Sequence, residues 1–489
     1  MDFNKKYILN KEYSIYYDID RYLIGSSNGE NELFFVPLHP MYAKFFSYFD
    51  GKQTLKTIVK ESAEKFSADE KFILKLLSAL INNNKELTIK YDDSYFIIPE
   101  NIIVEAKEGE SRTDLSNIKN LQKPLNLIRR RLSIPKSILY VVNTQCITDC
   151  TYCYADKNTP YKTLSTERIL EIIDEAHYLG IIDFDISGGE LFLHKDWDKI
   201  VKKCKEYGYL TAPSTKVPLK YNYIDQFRSL GLDTIQVSLD STNAAVLRNT
   251  LNVNTEYCTK IMNSIRYMDS QGINLIIKGT QTKYTCDVEN IRNVMNFISE
   301  LKNVKRYTVS IVGYSHNKTI EDFNNFRPTK KQIEELETFL NKAQSTVPYE
   351  IVFDKNIACS SNIMNPIVFN NRALCTGNVY GFVLLPNGKV TICEELYWNP
   401  EFIIGDLSNN NIMEMWHSER AMNVWDFQQD RLSDNNACKR CVDFNTCRKG
   451  LGVCWKSVIA HYGKQNSHYP DPSCPKAPVP LYEVYYNDI

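Results

Sequence analysis

The sequence predicts an α/β fold of three parts: an N-terminal winged helix, a parallel sheet of about six β/α units covered by helices on both faces, and a cysteine-rich C-terminal region. Three observations carry that expectation. Over residues 137–312, apolar runs of strand length alternate with amphipathic helical patterns, the arrangement of parallel strands joined by helical crossovers. Before it, three helical patterns stand between short β-elements. Beyond it, seven of the 14 cysteines fall from Cys375 to Cys474, whereas none precedes Cys146. At 489 residues the chain is also too long for one ordinary core, so separate domains are expected.

Composition removes several function classes. Lys and Arg number 58 against 59 Asp and Glu, for a net charge of −1, and the two signs alternate along the chain. No broad basic field is offered to nucleic acid or to an anionic membrane. The N-terminus, Met-Asp-Phe-Asn-Lys-Lys-Tyr, has no apolar signal core, and no apolar run reaches bilayer length. A cytoplasmic protein without a membrane segment is therefore expected. In that reducing compartment, regularly spaced thiols point to metal rather than to disulfides.

The first part is expected over residues 1–105. Alternating patterns at 13–17, 21–24 and 32–38 read as strands, with Asn28-Gly29 as a turn between the last two,. Pro40 suits the first turn of a helix running to Asp50-Gly51,. Helices follow at 54–66 and 68–83, the second with Phe72, Ile73, Leu76, Leu77, Leu80 and Ile81 as its apolar positions, and then a strand pair meeting at Asp92-Asp93. Three helices with β-elements at either end read as a winged helix. DNA reading is disfavoured because Asp69 and Glu70 offset Lys71 and Lys75 on the third helix,. Val36-Pro-Leu, Phe49-Asp-Gly-Lys-Gln-Thr-Leu and the two amphipathic helices resemble the precursor-peptide recognition domain of peptide-modifying enzymes. There a leader peptide adds as a strand to a sheet edge, which implies a groove formed by residues 33–36 and the helix from Ala68. Residues 106–136, with Gly109, Pro124 and Pro135, read as a linker with one short helix, and Arg129-Arg130-Arg131 as its solvated face.

The second part is expected over 137–345, with strands at 137–142, 181–187, 209–215, 233–239, 273–279 and 305–312 and helices between them. Its first strand delivers Cys146-Ile-Thr-Asp-Cys150-Thr-Tyr-Cys153. Iron–sulfur clusters take four thiolates, so a loop offering three leaves one iron free to bind something else. The loop leaves the C-terminal end of a strand, where α/β barrels place their chemistry.

This C-x3-C-x2-C loop, with Tyr152 before its last cysteine, resembles that of the radical S-adenosylmethionine (radical SAM) enzymes. The resemblance implies a partial (β/α)6 TIM-like barrel. In it, Cys146, Cys150 and Cys153 would hold a catalytic 4Fe-4S cluster whose free iron binds SAM, with an electron from the cluster cleaving SAM to a 5′-deoxyadenosyl radical. It also implies cofactor contacts for Tyr152, for Gly188, Gly189 and Glu190 toward the SAM amino group, and for Ser238 and Arg248 toward its carboxylate, which suits a guanidinium. The family carries Pro after the Glu, where this chain has Leu191. The bland alternatives are an ordinary Gly-Gly turn and a surface arginine.

The third part, 346–489, carries Cys375, Gly388 and Cys393, then Cys438-x2-Cys441-x5-Cys447-x6-Cys454, and finally Cys474. Such thiols also build zinc ribbons, and thiolate selects both metals. The order resembles the SPASM extension of radical SAM peptide-modifying enzymes, which binds two auxiliary 4Fe-4S clusters. By position, Cys375, Cys393 and Cys454 would hold the first, and Cys438, Cys441, Cys447 and Cys474 the second. The family has three residues between its fifth and sixth cysteines, where this chain has six. Cys359 is the nearest candidate for a fourth ligand to the first cluster; without it that site is open. Cys204, Cys258 and Cys286 fall within barrel patterns and are expected to be structural.

Together the resemblances imply an oxidoreductase with three 4Fe-4S clusters and SAM that modifies a ribosomally synthesised precursor peptide, of the sactipeptide or ranthipeptide thioether-forming kind, with a flavodoxin- or ferredoxin-type electron donor. The alternatives are carbon–carbon cross-linking, side-chain oxidation as in sulfatase maturation, and a metal-containing DNA-binding regulator.

Overall fold

The computed structural model describes residues 1–26, 34–91, 94–118, 129–155, 163–209, 212–355 and 362–484. The chain divides into two compact units, Met1–Lys136 and Ser137–Ile489.

In the first unit, helices Pro40–Phe46, Leu55–Phe66 and Glu70–Leu80 begin where His39, Thr54 and Asp69 turn their side chains onto otherwise orphaned backbone N–H groups,. Leu55, Ile58 and Val59 of the second helix and Ile73, Leu77 and Leu80 of the third are buried, the period expected of core-facing helices. Phe72 stays 61% exposed. Tyr22–Ser26 runs antiparallel between Tyr13–Tyr17 and Phe35–Leu38, and Leu87–Tyr91 pairs with Ser94–Ile98. A third sheet has no counterpart in the sequence reading: Lys6–Leu9 lies between Asp50–Thr54 and Ile103–Glu105. Asp50-Gly51, read as a helix stop, begins one of its strands; the helix itself ends at Phe46. Gly51, at φ +80°, sits where a Cβ would stand 2.4 Å from the Glu110 carbonyl oxygen, so only glycine fits.

The arginine run departs from expectation. Arg131 is 2% exposed, and burial pushes its pKa down to about 9. Arg129 pairs with Asp20, and Asp18 accepts N–H bonds from Ser133 and Ile134 and an ion pair from Arg21. Two aspartates of the Tyr17–Tyr22 turn draw this stretch inward, which a local pattern cannot reveal.

The second unit is the expected α/β partial barrel. Ser214–Thr215, Thr234–Ser238, Asn274–Gln281, Val304–Ile311 and Glu350–Asp354 form a wholly parallel sheet. Ser137–Val141 pairs in parallel with Asp183–Ser187 on one side and with Gly381–Leu384 on the other; Lys389–Thr391 and Ile403–Asp406 extend that sheet antiparallel. The strands from 137 to 312 follow the predicted alternation. Glu350–Asp354 and Gly381–Leu384 are additions that it did not predict. Near-complete burial of Ile138, Tyr140, Phe184, Ile186, Ile235, Val237, Leu275, Ile277, Tyr307 and Val309 is what covering a parallel sheet on both faces requires. No helix of the described residues is long and apolar enough to cross a membrane.

Candidate functional site

The three-cysteine loop leaves the C-terminal end of Ser137–Val141 and is held from two sides. Asn143 Oδ1 accepts from the N–H of Gln145 (3.0 Å) and of Glu190 (3.2 Å), and its Nδ2 donates to the Glu190 carbonyl (2.8 Å). Gly189 N–H donates to the Asn143 carbonyl at 2.8 Å. From the other side, Asp149 and Thr151 N–H donate to the carbonyls of Leu251 and Thr250, at the end of helix Ala244–Leu251. The Thr148 hydroxyl lies 3.2 Å from Cys146 Sγ and 3.4 Å from Cys150 Sγ.

The two glycines allow a close approach, and its partner is the cysteine loop. A Cβ on Gly189 would stand 2.0 Å from the Gln145 carbonyl oxygen, and one on Gly188, at φ +129°, 2.6 Å from that of Asn143. Glu190 is 3% exposed; its carboxylate accepts from Phe192 N–H, the Thr215 hydroxyl and Lys216 N–H. Burial raises its pKa to about 7. Leu191, where proline was anticipated, is buried and opens the 3-10 turn Leu191–Leu193 that this carboxylate caps.

Tyr152 turns its phenol onto the Asp240 carboxylate. Lys216 Nζ completes the triad, 2.5 Å from Tyr152 Oη and 3.0 Å from Asp240 Oδ2. Asp240 Oδ1 accepts from Thr280 N–H, so the triad ties the cysteine loop to the ends of three strands. Burial, reinforced by Asp240, holds the Tyr152 phenol well above its ordinary pKa. Neither Lys216 nor Asp240 was picked out from sequence. Ser238, half-buried, ends its strand two residues before Asp240, and Arg248 is exposed on helix Ala244–Leu251.

Glu394 was also missed. Its carboxylate accepts from Tyr154 Oη at 3.0 Å, and that oxygen lies 3.2 Å from Ser187 Oγ. The residue after Cys153 thus joins the acid after Cys393 to the residue before Gly188. Burial pushes its pKa up.

The C-terminal cysteines sort into two groups. Cys438, Cys441, Cys447 and Cys474 line one cavity of about 200 Å³ together with Arg448 and Lys476. Cys375 lines a second cavity with Gly452, Trp455 and Arg448. Cys454 bears electrostatically on both Cys375 and Cys393. The six residues between Cys447 and Cys454 form a loop in which Gly452 N–H returns to the Cys447 carbonyl and Leu451 presents its carbonyl to Cys375 N–H. Cys359 lies outside the described residues. Cys204, Cys258 and Cys286 are buried in the barrel core.

Among the described residues, no three His, Cys, Asp or Glu side chains gather around a point suited to a single ion. Four thiols around a cavity of about 200 Å³ instead leave room for a polynuclear group, and an all-thiolate set with no imidazole suits iron–sulfur chemistry.

Two stretches of the chain match known protein families. Residues 140–289 match the model of the radical SAM superfamily, and residues 375–442 that of SPASM, an iron-sulfur cluster-binding domain. Over 108 residues the chain is 32% identical to a probable GTP 3′,8-cyclase of Archaeoglobus fulgidus. That match covers 22% of this chain and 36% of the relative, so the chain spans only about a third of the curated protein it matches. Streptococcus suis SuiB bound to S-adenosylmethionine superposes over 96% of this chain and 99% of its own, with a TM-score of 0.61 at 14% identity. SuiB bound to its precursor peptide SuiA gives the same values. At that identity the likeness establishes the fold. The chain therefore carries a region matching the radical SAM superfamily, followed by one matching the SPASM iron–sulfur cluster-binding domain, within a fold that it shares with SuiB.

Proposed function

We propose that this enzyme modifies a ribosomally made precursor peptide, joining a cysteine sulfur to a carbon of the same peptide as a thioether. The observation that carries the reading is the three-thiol loop braced by Asn143 and Gly189 on the barrel's first strand, in a chain that also gathers two further cysteine groups. SuiB, captured with a precursor peptide, shares this fold over nearly its whole length, which supports a peptide substrate. When bound, the first cluster supplies the electron that cleaves SAM, and SAM supplies the radical that takes hydrogen from the peptide. Cys146, Cys150 and Cys153 hold that cluster. The main chain of Gly188 and Gly189 would bind the SAM amino group, and Ser238 and Arg248 its carboxylate. Cys375, Cys393 and Cys454, with Cys359 as fourth ligand or with an open position, hold one auxiliary cluster; Cys438, Cys441, Cys447 and Cys474 hold the other. A flavodoxin- or ferredoxin-type protein donates electrons.

The first unit binds the leader. Among the described residues Phe35–Leu38 is an edge strand, paired to Tyr22–Ser26 alone, and strand addition at such an edge is a recurring mode of peptide recognition. Phe72, 61% exposed on the third helix, offers an apolar anchor. Tethering the leader raises the local concentration of the core peptide at the barrel. An auxiliary cluster would take up the remaining electron, and Glu394, half-buried against Tyr154, the proton that the new bond releases.

Co-expression with a neighbouring cysteine-rich small open reading frame tests this. Mass spectrometry is expected to find a loss of two hydrogens per link, with the cysteines no longer open to alkylation. Replacing Cys146, Cys150 and Cys153 by Ala is expected to abolish both the mass change and 5′-deoxyadenosine. A mass loss with every cysteine still alkylatable would overturn the thioether.

A further inference from the structure

The cavity bounded by Cys438, Cys441, Cys447 and Cys474 is faced by cations to a degree that holding a metal group does not require. Arg372 Nη2 lies 3.3 Å from Cys447 Sγ, Lys476 Nζ 3.6 Å from Cys441 Sγ and Arg448 Nη2 3.7 Å from Cys438 Sγ. Two of the three are fixed by the fold. Arg372 Nε donates to the Gly452 carbonyl and Nη1 to that of Phe369, and the Phe369 ring lies 4.0 Å from the guanidinium carbon. Arg448 Nη2 also donates to the carbonyls of His468 and Tyr469, and its guanidinium stacks over Trp455 at 5.0 Å. Arg448 Nη1 is buried with no hydrogen-bond partner among the described residues, in a side chain that walls both this cavity and the one at Cys375. Asp443 and Asp471 also line the four-cysteine cavity, Asp443 sharing Lys476 at 3.5 Å.

The other group is served differently. The main-chain N–H groups of Gly377, Glu395 and Ser457 bear on Cys375, Cys393 and Cys454, as that of Lys476 does on Cys474, so the difference between the groups lies in the side-chain cations. Glu394 and Glu395 follow Cys393 directly, and Lys456 is taken up in an ion pair with Glu395.

Reduction adds negative charge to a cluster, and N–H donors and cations at the sulfurs favour the more negative state. Resting on the reading that both groups hold iron–sulfur clusters, we propose that Arg372, Arg448 and Lys476 set the potential of the cluster at Cys438, Cys441, Cys447 and Cys474 above that of the cluster at Cys375, Cys393 and Cys454. The two arginines carry most of the effect. Lys476, more than half exposed, is screened by solvent and by Asp443.

The test is a redox titration of the full-length, anaerobically reconstituted enzyme, followed by electron paramagnetic resonance, with iron content measured on each sample. Arg372→Gln and Arg448→Gln are each expected to lower one auxiliary potential by about 59 mV, a tenfold change in the one-electron equilibrium. Lys476→Met is expected to move it by less. Arg372→Lys and Arg448→Lys guard against misfolding: they keep the charge but lose the fork and are expected to fall between wild type and the glutamine variants. Full iron content with unshifted potentials overturns the proposal, as does any other order of the lysine forms. Absence of iron from the wild-type auxiliary sites would instead overturn the functional reading beneath it.

Discussion

A single methyl group at position 189 would reach the cysteine loop. The Cβ of a Gly189→Ala variant would fall 2.0 Å from the Gln145 carbonyl oxygen; both partners are backbone, so the loop carrying Cys146 must move. Displacements near 1 Å at a reacting centre cost about a hundredfold, and Gly189→Ala is expected to lower 5′-deoxyadenosine formation by that order, measured by chromatography under reducing conditions. Gly208→Ala is the control. Its φ is +75° with no described atom within 4 Å of the added carbon, so it costs roughly 1–2 kcal/mol of backbone strain and is expected to leave SAM cleavage unchanged. Glu190 makes a separate prediction. Its carboxyl titrates near pH 7 in the folded chain and near 4.3 unfolded. Between those values the folded state holds a proton that the unfolded state has released, so stability falls as pH rises from about 4 to about 7 and is level above. Glu190→Gln is expected to remove that slope from the melting temperature measured against pH. The described cysteines were legible because their chemistry lies in residue type and spacing. Lys216, Asp240 and Glu394 were not, because a single charged residue has no spacing signature and gains its role only when strand ends meet.

Elements repeat the lesson at longer range. The barrel's own strands were legible from alternation, a local signal that survives in any β/α unit. Gly381–Leu384 was not, because its partner Ser137–Val141 lies far back in the sequence, at the start of the unit. Lys6–Leu9, Asp50–Thr54 and Ile103–Glu105 were lost for the same reason: each is short, and the sheet they form exists only once distant segments pair,. Glycine again marks the contact. A Cβ at Gly381 would stand 2.2 Å from the Ser137 carbonyl oxygen, so Gly381→Val is expected to break this pairing at its first residue. The strand carries the chain from Cys375 to Cys393, and its release would separate those thiols. Limited proteolysis is expected to cut the variant between residues 372 and 396 at least tenfold faster than wild type, a ratio consistent with about 1.4 kcal/mol of lost local stability.

Across the whole chain, two cores divide the work. The first unit buries its own cluster around Phe46, Phe49, Leu77 and Phe96, and the second its own around Tyr140, Phe184 and Tyr307, so each has the means to fold separately. All the cysteines belong to the second unit, while the edge strand Phe35–Leu38 and the exposed Phe72 belong to the first. Iron content and leader affinity should therefore vary independently. Wild-type enzyme is expected to hold about twelve irons, four for each of three clusters. Replacing Cys438, Cys441, Cys447 and Cys474 together by Ser is expected to reduce that to about eight, because these four thiols line one cavity and the remaining groups keep their ligands. Fluorescence anisotropy with a labelled leader peptide is expected to give the same affinity for both proteins. Phe72→Ala, conversely, is expected to weaken the leader about tenfold, the order of one well-buried aromatic anchor, while iron stays at its full value. A quadruple variant that loses leader binding, or a Phe72 variant that loses iron, would mean that recognition and chemistry are one cooperative structure, and the division of labour between the two units would have to be abandoned.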